Sequence, residues 1–239
     1  MSSEYLIRRS DRAKRLRIVV KPDRVELVAP IGLPESQIHQ FAQAQQDWIR
    51  HARQRVQAKS QSTVKGFAPE AYVDGVSLPF QNQELTLRLG LHKQKRLSIE
   101  GINRTTLLIN LPETLHGEHR QQAIRGALEK WYKQQAQFQV SEIVNQHAPR
   151  FNLQPRSIRI KTQTSRWGSC GPHNDINLNW LLMLAPAAAL EYVVVHELCH
   201  IRHKNHSPAF WNLVAQHLPD YQQQRQWLKL NGQRLMLGL

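Results

Sequence analysis

Two histidines and a glutamate in the run Val195-His196-Glu197-Leu198-Cys199-His200 have the spacing of a hydrolytic zinc site. On a helix, His196 and His200 stand one turn apart on the same face, so both imidazoles reach a single ion. Glu197 is rotated only about 100° from His196. That brings its carboxylate to the ion's open position, where it can take a proton from bound water. An H-E-x-x-H string alone arises by chance in roughly three chains in a hundred of this composition. Here a further histidine follows six positions after His200, and Leu190, Val193, Val194, Leu198 and Ile201 recur at helical spacing, which puts the motif on a buried helix. Pro186 suits its first turn.

Elimination narrows the third ligand. No glutamate follows Glu197, and Asp220 is the only later side-chain carboxylate, so the ligand must be a histidine. On an unbroken helix His203 would sit about 4.5 Å beyond His200 along the axis, too far for three rings to converge. His206 fits better: the chain leaves the helix at Lys204-Asn205, Asn tolerating left-handed backbone, and folds back. Ser207-Pro208 then reads as the cap and first residue of a new helix bearing Phe210, Trp211, Leu213 and Val214. His217 reads as a surface or satisfied core residue. Cys170 and Cys199 read as small buried hydrophobes.

The string His196 to His200, the following Asn205-His206-Ser207-Pro208-Ala209-Phe210-Trp211, and the upstream Arg166-Trp167-Gly168-Ser169-Cys170 and Asn177-Leu178-Asn179-Trp180 together resemble the YgjP-like metallopeptidase-domain family of bacterial proteins. That family is related to the SprT and WLM zinc proteases. The resemblance is most specific from Arg156 to Trp211 and looser towards the N-terminus. It implies His196, His200 and His206 as zinc ligands and Glu197 as catalytic base. Some members carry a nucleoside-triphosphate pyrophosphatase label. Metzincin proteases share the ligand spacing but have glycine where this chain has His203.

The elements that must position these residues give an α+β reading: a basic β-rich N-terminal region with a helix over residues 1–115, and a minimal zincin-like catalytic core over 116–239. Leu16, Ile18 and Val20, then Val25 and Leu27, predict a β-hairpin across Lys21-Pro22-Asp23. One amphipathic helix is expected from Leu33 to about Lys59, then a linker over Ser60 to Pro69. Short strands are expected at 71–73, 85–89, 96–99 and 106–109. A long helix with Ile124, Leu128, Trp131 and Phe138 on one face should follow. Strands at 157–162 and 176–182 then form a hairpin just before the metal helix, laying a strand edge beside the zinc where an extended peptide can add. Its connecting loop holds two candidate substrate contacts: Arg166, which either stabilises an oxyanion or salt-bridges the fold together, and Trp167, whose type is commoner in cores than against substrate. Gly168 and Gly171 are expected to meet backbone-angle demands.

The chain of 239 residues can bury a substantial core, and its formal net charge is +14. Residues 1–110 hold 18 basic and 10 acidic side chains and residues 111–239 hold 14 and 8, with the densest block at Arg8, Arg9, Arg12, Lys14, Arg15 and Arg17. Such a block is either a solvated face or a docking surface for nucleic acid or nucleotide. There is no P-loop or dinucleotide fingerprint. Two cysteines make no disulfide framework, and no apolar run reaches the ~20 residues of a membrane span. The N-terminus opens without a signal-peptide core, so a cytoplasmic protein is expected. The residues point first to a zinc-dependent, metalloprotease-like peptide hydrolase. Hydrolysis of a nucleotide phosphoanhydride by the same water is the alternative. A nucleic-acid-associated protein with structural zinc comes third, disfavoured because a structural site needs no base at Glu197.

Overall fold

The computed structural model describes residues 5–61 and 65–239. They fall into two compact units, Met1–Val64 and Lys65–Leu239. In the first, β1 (Leu6–Arg9), β2 (Arg17–Val20) and β3 (Val25–Ala29) form a sheet in the order β1-β3-β2. β2 and β3 make the expected antiparallel hairpin, and β1, which the sequence pattern did not single out, adds parallel to β3. The expected single helix is two, α1 (Glu35–Ala44) and α2 (Gln46–Gln61), interrupted where Gln45 leaves helical geometry at φ −107° and ψ 14°. Ile38 and Ala42 of α1 pack on Leu27 and Ala29.

Part of the basic block serves this fold. Arg9 donates to the carbonyls of Pro30, Ile31 and Leu33. Arg8, Lys21 and Arg24 surround Glu26. Hydrogen bonds from Lys21 and Arg24 hold that carboxyl down at about 2. Arg12, Lys14, Arg15 and Arg17 are exposed and take part in no ion pair among the described residues. The expected linker lies partly outside the described residues, at 62–64, and residues 65–69 carry no regular structure.

The second unit begins with a sheet of β4 (Ser77–Phe80), β5 (Gln83–His92), β6 (Ser98–Asn103) and β7 (Thr106–Pro112) in the order β4-β5-β7-β6, with β5 and β7 parallel. The expected strand at 71–73 is absent. There the Gln121 side chain bonds both the N–H and the C=O of Tyr72 in place of a ladder. Leu78, Leu87, Leu107, Ile109 and Leu111 share one core with α3 (Gly117–His147) and with α4 (Ala187–Arg202), the helix that carries the motif. The turn between β4 and β5 also serves α4 directly, Asn82 Oδ1 accepting from the Ala187 N–H at 2.8 Å. The compact units divide at Val64/Lys65, so β4–β7 share a unit with the helices that follow them. Composition could not show that β4–β7 bury their faces against the later helices.

Along α3 the buried stripe is Ile124, Leu128, Tyr132, Ala136, Val140, Val144 and His147. Trp131 is only partly buried and Phe138 lies 61% exposed, off the face expected for it. A third sheet has the order β8-β10-β9, from β8 (Ser157–Lys161), β9 (Gly168–Cys170) and β10 (Asp175–Asn179). The expected hairpin of β8 with β10 is not formed: these two run parallel, and the hairpin is β9 with β10. Part of the segment read as a connecting loop is thus itself an edge strand, β9. After a 3-10 turn over Trp180–Leu184 come α4, α5 (Pro208–His217) and α6 (Tyr221–Met236). Among the described residues no helix is long and apolar enough to cross a membrane.

Candidate metal centre

Helix α4 is apolar around most of its circumference, burying Leu190, Val193, Val194, Val195, Leu198 and Cys199, and it presents His196 and His200 one turn apart at its open side. It ends at His203, whose φ of −120° and ψ of 103° turn the chain out. The break thus falls one residue before Lys204-Asn205 and needs no left-handed residue. Ser207 caps α5 by accepting from the Phe210 N–H, and Pro208 takes the first helical position, as expected. The short return between the helices delivers His206. Lys204 steadies it by donating to Asn174 Oδ1 at 2.8 Å and to the Gly171 carbonyl at 3.3 Å.

His196, His200 and His206 each offer a ring nitrogen, all within 4.8 Å of one another. Nε2 of His206 lies 3.0 Å from Nε2 of His196. Nδ1 of His200 is 2.9 Å from the His203 carbonyl, so that nitrogen carries the proton and Nε2 keeps its lone pair for the centre. Burial, then the neighbouring His200 and His206, pushes His196 down to about 3, and burial likewise lowers His200. Both rings are thereby held neutral, the state a ligand requires. Three convergent acceptor nitrogens fit a small cation of zinc's preferences. His203 contributes its carbonyl and not its ring. His217 sits in a separate buried pair with His147, their Nδ1 atoms 3.1 Å apart, and its Nε2 is buried with no partner among the described residues. It is a core residue, though not a satisfied one.

Glu197 is 5% exposed and faces β9. Trp167 C=O accepts from Asn179 N–H and Gly171 N–H donates to Asp175 C=O, both at 2.8 Å, so alternate residues of this edge bond inward to β10. Gly168 and Cys170 therefore aim their backbone groups outward, and the Cys170 N–H donates to the Glu197 carboxylate. Burial pushes Glu197 up to about 7 against the opposing pull of the Arg166 charge and that N–H. A carboxyl poised there both accepts and returns a proton near neutrality.

Around the ligands stands an aromatic wall that the sequence reading used only as an anchor for His206. Phe210 lies 4.5 Å from His200 and 4.9 Å from both His196 and His206, ring centre to ring centre. Trp211 stacks on His206, and Tyr192 stands edge-on to His196. Tyr192 precedes His196 by one helical turn, a spacing that marks it in retrospect. Trp167 packs towards α6, where a Cβ on Gly232 would meet its ring at 3.3 Å. Arg166 is exposed, and Asn179, 1% exposed, fixes its carbonyl and that of Gln163 at 3.2 and 2.8 Å. Neither Gly168 nor Gly171 has a positive φ. Cys199 is wholly buried, its thiol is pushed up to about 12 by burial, and it does not join the convergent group of three histidines. Cys170 is half-buried.

A family model described as YgjP-like, metallopeptidase domain, matches residues 14–231. No curated protein matches the chain.

Proposed function

Because this chain belongs to the YgjP-like metallopeptidase-domain family, we propose that it is a zinc-dependent peptide hydrolase. His196, His200 and His206 would hold the ion, which when bound supplies Lewis acidity and a water of lowered pKa. Glu197 takes the proton of the attacking water on its carboxylate and returns it to the departing amine nitrogen. The carrying observation is the placement of Glu197 directly beneath an edge strand. The outward C=O groups of Gly168 and Cys170 and the Gly168 N–H have no hydrogen-bond partner among the described residues and can pair with an extended peptide there, which would lay its scissile carbonyl across the ligand cluster. The exposed Arg166, whose charge reaches Glu197, is suited to a developing oxyanion.

The alternative, attack of the same water on a phosphoanhydride, draws on Arg166 but makes no use of the strand edge. A side-by-side assay of the zinc-loaded chain on unfolded protein and on nucleoside triphosphates separates the two, with Glu197→Gln as control. Peptide cleavage that Glu197→Gln abolishes while the protein keeps its zinc is the expected result. Triphosphate turnover without peptide cleavage would replace this reading with the alternative.

A further inference from the structure

One cation beside the ligand cluster takes no part in the chemistry above. On α6, Tyr221 and Arg225 are four residues apart and so share a face. Both reach Trp211 of α5: Tyr221 stacks on its ring at 5.4 Å and 14°, and the Arg225 guanidinium carbon lies 4.6 Å from the ring centre. The same indole is 5.5 Å from the ring of His206 and 5.7 Å from that of His196. A single aromatic side chain therefore separates the guanidinium from two metal ligands. The Arg225 charge is felt at both His196 and Tyr192.

Arg225 is exposed and makes no ion pair or hydrogen bond that would account for its charge among the described residues. The cation–π contact holds the guanidinium over the indole face, and its N–H donors make no hydrogen bond among the described residues, which leaves them as a fork for a carboxylate. Phosphate is the poorer match. No glycine-rich backbone cradle lies in the sequence to share its charge, and the free backbone groups of β9 call for a peptide. We propose that Arg225, laid on Trp211 beside the metal ligands, is a specificity residue that binds a carboxylate of the peptide substrate. This rests on the peptide-hydrolase reading. The carboxylate comes from a free C-terminus or from an Asp or Glu side chain, and the chemistry of capture is the same.

The test measures binding, not turnover, on the full zinc-loaded chain carrying Glu197→Gln. Three matched N-acetylated peptides are titrated by calorimetry: a neutral one with a C-terminal amide, the same peptide with a free C-terminus, and the amide with one internal Gln→Glu change. At least one acidic form should bind about tenfold more tightly than the neutral one, and which form does so identifies the source. Adding Arg225→Gln should erase that preference while zinc content and affinity for the neutral peptide stay unchanged. Adding Arg166→Gln should leave the preference in place. Equal affinity for all three peptides, no binding of any, a preference that survives Arg225→Gln, or Arg225-dependent binding of inorganic triphosphate without any carboxylate preference would each overturn the proposal. A carboxylate preference in a chain whose native form cleaves no peptide would instead retire the hydrolase reading alone.

Discussion

Gly168 and Glu197 touch so closely that a Cβ on the glycine would lie 2.6 Å from Oε1 and 2.7 Å from Cγ of the glutamate. No side chain at 168 is compatible with the carboxylate where it stands. The glycine is thus required by Glu197, across a sheet-to-helix contact, and not by its own backbone angles.

Gly168→Ala should therefore act as a displacement of Glu197. Zinc content should match the native protein, whereas peptide turnover should fall at least about a hundredfold, the usual worth of a positioned base. Metal analysis beside kcat on one peptide checks this, and an alanine variant of native activity would show that the carboxylate is not needed where it lies.

Ligand assignment makes a sharper contrast. His206→Ala should lose zinc markedly under dialysis against a mild chelator, because two nitrogens on one helix cannot complete a tetrahedral set. His203→Ala and His217→Ala should keep it, since the first offers only its carbonyl and the second lies in the pair with His147. Zinc lost from His203→Ala but held by His206→Ala would reverse the assignment.

Asn179→Ala should loosen the Arg166 loop without touching the ligands. Its side chain donates to the carbonyls of Gln163 and Arg166 and accepts from the Leu181 N–H. Leaving such buried groups unpaired costs about 1–3 kcal/mol. The denaturation midpoint should drop accordingly, with zinc retained.

Acid sensitivity should trace partly to His217. Burial, then His147, Arg150 and Arg202, pushes it down from 6.5 to about 4. Between those two values the unfolded chain binds a proton that the folded chain refuses, so stability falls as the pH falls through this window and levels off below about 4. One proton corresponds to a slope approaching about 1.4 kcal/mol per pH unit. Thermal melts of metal-free His217→Gln from pH 4 to 7 should show a shallower dependence than the native chain; parallel curves would remove His217 from the account.

The clustering of His196, His200 and His206 beside Glu197 was legible because its signals are local. Helical spacing set His196, Glu197 and His200 on one element, and Ser207-Pro208 announced the next helix, so His206 followed by elimination. The pairings that complete the site are long-range and left little trace. That β8 runs parallel to β10, making β9 the edge, depends on which strand each meets after the chain turns. That the β4–β5 turn supports α4 was equally hidden, because the Asn82 bond to Ala187 spans 105 residues. The role of Gly168 belongs to a glutamate 29 positions on, and Arg225 has meaning only once α6 lies over Trp211.

In the proposed zinc site, the return from α4 to α5 would set the kinetics of metal exchange. Two ligands sit on a helix locked into the core, while the third arrives on a short strap held by the Lys204 contacts and the Ser207 cap. An ion bound this way leaves when the strap swings, since losing His206 alone converts a closed set into a weak bidentate one. Its residence time would then be governed by the local opening of five residues, well below the cost of global unfolding. The chain could be emptied by a chelator while still folded, and refilled without passing through the denatured state.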